Sequence, residues 1–163
     1  MALSFDPIAE ARRQWESHHW GAVDAMCAAT SITRAHQILL GRINAVLLPL
    51  GLNFSRFEAI ALLSFSQTGS LPLGKMGERL QVHPTSITNT IDRLERDGLV
   101  ERMAHPTDGR TTLAKLTAQG RAVAETAQRE LAAIEFGFDG LSSENLIGLH
   151  DAITELRHTA GDF

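Results

Sequence analysis

The stretch Gly74 to Thr117, GKMGERLQVHPTSITNTIDRLERDGLVERMAHPTDGRTTLAKLT, decides how this chain is read. Pro84 suits the first position of a helix, where a fixed φ and a missing N–H cost nothing. His83 is then the N-cap, an unusual residue for that place. Gly98 marks the far end, since glycine is favoured just past a helix. Between them Ile87, Ile91 and Leu94 recur at four- and three-residue steps and share one buried face. Thr85, Ser86, Thr88, Asn89, Asp92, Arg93 and Arg96 occupy the other faces. Short hydroxyls and an amide on a solvent-facing first turn suit base edges. An arginine farther along suits phosphate.

A shorter helix precedes it, anchored by Met76 and Leu80, with Lys75, Glu78 and Arg79 outward. Helix, brief turn and second helix form the helix-turn-helix arrangement, in which the second helix enters the major groove. Leu99–Met103 and Leu113–Leu116 have strand character. His105-Pro106-Thr107-Asp108-Gly109-Arg110 between them reads as a hairpin tip, because Pro, Asp and Gly favour turns. An arginine there reaches a minor groove, and Asp108 is expected to hold the Arg110 side chain in place.

With those residues in view, positions 52–120 resemble the winged helix-turn-helix core of the MarR family of bacterial transcription regulators. The likeness is carried by Leu73–Leu80, by Ile91–Arg102, and by an Asp108-Gly109-Arg110 wing followed after a strand by Leu116-Thr117-Ala118-Gln119-Gly120. His83 stands where a serine cap is frequent in the family. The resemblance implies a homodimer that binds double-stranded DNA at a pseudo-palindromic operator and is released by a small-molecule effector or an oxidant. It implies base contacts at Thr85, Ser86, Thr88 and Asn89 and a minor-groove contact at Arg110. Lys75, Arg93 and Asp108 complete the expected DNA-binding set. Read without the family, Thr85, Ser86 and Thr88 are equally ordinary first-turn residues, and Arg93 has Glu95 and Asp97 nearby to pair with.

The flanks read as helices. Asp6-Pro7 opens one that runs to about His18, after a frayed start over residues 1–6. Gly21 interrupts. Residues 22–48 form a long helix with Val23, Met26, Cys27, Ile38, Leu39, Ile43, Val46 and Leu47 inward, ended by Pro49 and Gly51. Ser55 is the expected cap of a helix whose inner face is Phe57, Ile60, Ala61, Leu63 and Ser64, closed by Gly69. Leu71-Pro72-Leu73 is an edge strand, the one place in a sheet that tolerates proline. Thr117 caps a helix running to about Phe136, and Ser142 caps the last, with Leu146, Leu149, Ile153 and Leu156 as its stripe. The fold class is therefore mainly α with a small β-wing: a winged helix-turn-helix core over 52–117, and a helical dimerisation region from both chain ends, 1–51 and 118–163.

Composition narrows the function. With 44% hydrophobic residues the chain has material for a core, and no apolar run is long enough for a membrane span, so no membrane partner is expected. The N-terminus lacks the basic and apolar regions of a signal peptide, and one cysteine fits a reducing cytoplasm. Net charge is −4, yet Lys75 to Arg110 is balanced, with Lys75, Arg79, Arg93, Arg96, Arg102 and Arg110 against Glu78, Asp92, Glu95, Asp97, Glu101 and Asp108. DNA binding must then rest on a few placed cations rather than on overall field. A protein-interaction winged helix without specific DNA binding is the alternative that the acidic balance favours. No phosphate loop, nucleophile elbow or HExxH motif is present, so an enzyme is not expected.

Trp15, His18, His19, Trp20 and Asp24, with Phe57 and Glu58, are the candidate ligand-binding residues: aromatic walls with a few polar anchors. They compete with simple packing of both tryptophans. A tryptophan-bearing extra helix also occurs in the family's urate-responsive branch, but Glu58 follows Phe57 where that branch has aspartate, so urate is not carried over. Cys27 is the redox candidate, against the ordinary reading of a small buried hydrophobe. The chain contains no tyrosine to bond its thiolate as in oxidant-sensing relatives. His18, His19, His36 and Cys27 lack structural zinc spacing, and neither a metal nor a cofactor is expected.

Overall fold

The computed structural model describes residues 3–108 and 110–163; Gly109 of the wing signature, and Met1 and Ala2 of the expected frayed start, lie outside them. Seven α-helices and three strands follow in the order α1 Pro7–Ser17, α2 Val23–Leu47, α3 Phe54–Ser64, β1 Ser70–Pro72, α4 Leu73–Leu80, α5 Pro84–Arg96, β2 Val100–Ala104, β3 Thr112–Leu116, α6 Ala118–Ala133 and α7 Ser143–Thr159. This is a mainly helical winged helix-turn-helix fold with one small antiparallel sheet in the order β1-β3-β2. Pro72 sits on the edge strand β1, paired with Leu113.

Local chemistry explains most boundaries. Asp6 caps α1 by accepting from the Ile8 N–H, with Pro7 at the first helical position. His83 caps α5, its Nδ1 accepting from the Thr85 N–H at 3.2 Å. Thr117 accepts from the Gly120 N–H at 2.9 Å and directs its own hydroxyl to the Gly98 carbonyl at 2.8 Å. One side chain thereby starts α6 and ties it to the turn that ends α5.

Four expectations need correction. Asn53, not Ser55, caps α3, because its side chain accepts from the Arg56 N–H at 3.0 Å. Leu73 begins α4 rather than ending the edge strand. The helix from Thr117 stops at Ala133, and Phe136 adopts a left-handed conformation (φ 53°) that turns the chain. On α2, only Ile43 and Leu47 are buried within one chain, and Ile38 is 43% exposed. Packing against α1 only half-buries Val23, Met26 and Cys27, and Ile32 and Ile38, farther along, remain exposed.

The core lies between α3, α5, α6 and the sheet. Leu47, Ile60, Leu63, Met76, Ile91, Leu94 and Leu131 are fully buried in it. Each such side chain contributes about 1.5–3 kcal/mol of apolar burial. The three buried side chains Ile87, Ile91 and Leu94 fix the rotation of α5, and so fix which of its residues face outward. At the other extreme, α7 has no buried residue, with Ile147 61% and Leu156 56% exposed. Among the described residues no single helix is long and apolar enough to cross a membrane.

Candidate nucleic-acid interface

Helix α5 presents Thr85, Ser86, Thr88, Asn89, Arg93 and Arg96 to solvent because the three apolar anchors hold its opposite face down. Thr88 spends its hydroxyl proton on the Pro84 carbonyl at 2.9 Å, which leaves its oxygen as an acceptor. Asn89, Arg93 and Arg96 follow one another at four- and three-residue steps along one outward strip.

The charge balance of this segment resolves into two populations. Arg102, on β2, bridges back to α5 and binds both Asp92 at 2.6 Å and Glu95 at 2.7 Å. Arg56 of α3 pairs with Asp97. Lys115 pairs with Glu101 across the β2–β3 ladder at 3.0 Å. Four of the six acids are thus neutralised internally. Lys75, Arg79, Arg93, Arg96 and Arg110 make no ion pair among the described residues. The local pairing of Arg93 with Glu95 or Asp97 does not occur, because other cations already hold those acids. A sequence-neutral segment therefore folds into an outward cationic surface.

Sequence reasoning did not single out Arg79 and Arg96. Arg96 was accessible to it, lying three residues past Arg93 on the same outward strip. The shielding role of Arg102 was not, since it depends on where β2 lands beside α5.

At the wing, the expected grip of Asp108 on the Arg110 side chain is not made. Asp108 instead accepts from the Arg110 backbone N–H at 3.1 Å and from the Thr111 hydroxyl at 2.7 Å. The hydroxyl bond first, and the backbone bond second, pull its carboxyl below the usual aspartate range. That staple is complete above the ordinary aspartate pKa and is lost only as pH falls through the depressed folded value. Arg110 is exposed, and its guanidinium makes no ion pair among the described residues. Lys75 and Arg110 both line one groove between the start of α4 and the wing.

The expected ligand residues divide into two places. Trp15 and Trp20 meet edge to face with centroids 4.6 Å apart, and His18 lies 5.4 Å from Trp20. The Trp15 N–H donates to the Gly21 carbonyl at 3.1 Å, and Arg12 pairs with Asp24. These contacts fasten the corner between α1 and α2; His19 is exposed there in a left-handed conformation. Cys27 is half-buried on α2 beside Arg12, whose guanidinium is raised above its usual range, by Asp24 first and Cys27 second. Phe57 and Glu58 are elsewhere, lining a cavity of about 500 Å³ between α3 and α6. Among the described residues no three metal-ligating side chains converge.

Comparison with known proteins identifies the family and the fold. Residues 54–112 match the family model described as "MarR family". Sco5413, a MarR family transcriptional regulator from Streptomyces coelicolor, is 50% identical, with a TM-score of 0.80 over 87% of this chain and 99% of that one. The HTH-type transcriptional repressor Rv2887 of Mycobacterium tuberculosis is 34% identical over 58% of this chain and 67% of its own length. Sco3205 of S. coelicolor, solved in complex with DNA, shares the fold at 22% identity and TM-score 0.77, covering 86% and 89% of the two chains.

Proposed function

The chain belongs to the MarR family of DNA-binding transcription regulators, and from that premise we propose that it acts in the cytoplasm as a homodimeric repressor on a pseudo-palindromic operator, released by a small ligand. The observation that carries the DNA assignment is the outward strip of α5. A turn of small polar groups, Thr85 to Asn89, leads into two arginines whose neighbouring acids are already paired. Bases are read by the turn, phosphates are held by Arg93, Arg96, Arg79 and Lys75, and Arg110 enters the adjacent minor groove. Asp108 acts by shaping the wing tip from which Arg110 projects.

The dimer reading is supported by apolar surface that one chain leaves uncovered. Ile147, Leu149 and Leu156 on α7, and Ile32 and Ile38 on α2, are all exposed. Residues 1–51 and 118–163 would supply a self-complementary pad, and 52–117 the reading head. Two-fold symmetry then spaces two α5 helices for successive major grooves, about 34 Å apart. The effector reading rests on the cavity at Phe57 and Glu58, which lies where helices of the reading head and the pad meet. A ligand acts there only through its different affinity for DNA-competent and incompetent spacings.

A mobility-shift titration with duplex fragments flanking the chain's own gene tests the assignment. Saturable binding to one fragment, competed by itself and not by bulk DNA, is the expected result; equal binding to every duplex would remove the claim of a specific operator. In the same assay Arg110→Ala is expected to weaken operator binding about tenfold, with the dimer intact by light scattering. Unchanged affinity would take Arg110 out of the interface. Asn89→Ala should alter base preference at one position in each half-site, read from a library of singly substituted operators. A uniform loss over all sequences would instead make Asn89 a phosphate contact.

A further inference from the structure

The cavity between α3 and α6 has a chemical bias that its family membership does not dictate. Phe54, Phe57, Phe65 and Phe136 contribute aromatic surface, and the ionisable groups lining it are Glu58 and Glu125. No lysine, arginine or histidine among the described residues lines it. Neither glutamate side chain makes a hydrogen bond or ion pair among the described residues, whereas most other acids of the chain are engaged. Glu58 is half-buried, and burial pushes its carboxyl above the usual glutamate range. A carboxyl held in such a site has lost water and gained nothing in return.

Organic anions would meet two like charges there and no cation. A protonated amine on an aromatic body would satisfy Glu58 by a charge-assisted hydrogen bond and lay its charge against phenylalanine faces, which attract cations. Resting on the effector reading above, we infer that this cavity takes a lipophilic aromatic cation, anchored by Glu58, and discriminates against carboxylate-bearing aromatics of the same shape.

Three probes with one ring system separate the possibilities: naphthylmethylamine, naphthylmethanol and naphthoate, titrated into the intact protein by calorimetry and then into its operator complex. The amine is expected to bind roughly tenfold more tightly than the alcohol, with naphthoate weakest. Glu58→Gln should remove roughly that tenfold for the amine and leave the alcohol within about twofold. Glu125→Gln, farther out on α6, should give a smaller loss in the same direction. Naphthoate binding as tightly as the amine, or amine affinity indifferent to both substitutions, would overturn the inferred class while leaving the cavity as an effector site. Failure of all three probes to bind would overturn it too, as would conversion of the dimer to a monomer by Phe65→Ser, which would make the cavity a seat for the second subunit. Amine binding that leaves operator occupancy unchanged would uphold the ligand class and defeat the effector reading instead.

Discussion

Gly120→Ala is expected to destabilise the protein by about 3 kcal/mol or more, from overpacking against an immovable neighbour. A Cβ at position 120 would stand 2.0 Å from the Leu99 carbonyl oxygen and 2.9 Å from the Leu116 side chain. The first of these is backbone, in the chain between α5 and β2, and it already accepts from the Thr117 N–H at 3.1 Å. Relief would require α6 to lift away, breaking the Thr117 cap and opening the core at Ala124 and Ala127. For a chain of this size the penalty corresponds to a fall in melting temperature of roughly 10 °C. Gly74→Ala is the control: nothing lies within 4 Å of its added Cβ, and alanine suits a helix better than glycine. Should Gly120→Ala melt within about 2 °C of the parent, the close approach of α6 to Leu99 carries no constraint. The spacing of Thr117 and Gly120 thus has a physical origin: one residue caps α6, and the other lets it rest on the wing.

How much of this was legible in the sequence depended on the range of the interactions involved. Periodicity at Ile87, Ile91 and Leu94 needs only the helix itself, and it located the exposed strip of α5 correctly. Pro84, Gly98 and Thr117 are local signals of the same kind. At α3 the same kind of signal misled: Ser55 was the expected cap, whereas the Asn53 side chain, two residues earlier, accepts from the Arg56 N–H. The fate of the six acids was harder to read. Asp92 and Glu95 find Arg102 at seven to ten residues' distance, while Asp97 finds Arg56 across forty-one. Charge counted along the chain could not distinguish these paired acids from competitors for phosphate. The candidate ligand residues failed to converge for a similar reason. The rings of Trp15 and Trp20 meet across a single corner, whereas the cavity draws on α3 and α6, which are separated in sequence by the rest of the reading head.

The pairing that hides Asp92 and Glu95 leads to the second large effect. Arg102 does not face outward with Arg93 and Arg96; its side chain is 25% exposed and occupied by two carboxylates. Removing it as Arg102→Met keeps an apolar stem on β2 but releases two negative charges on α5, beside the phosphates that Arg93 and Arg96 would hold. Like-charge juxtaposition at an interface costs several kcal/mol, so operator affinity is expected to fall about a hundredfold at low salt. Exposed ion pairs contribute about 0–1 kcal/mol to folding, so the melting temperature should change little. The loss in affinity should shrink as salt rises, because screening sets in beyond about 8 Å at 0.15 M. Adding Asp92→Asn and Glu95→Gln to Arg102→Met should restore most of the affinity, although the triple variant still lacks Arg102. Were Arg102 a direct phosphate ligand, that rescue would fail and the salt slope would drop by about one. Operator binding at parental strength in the single variant would mean that the α5 carboxylates lie clear of the duplex, and the outward cationic strip would lose its explanation.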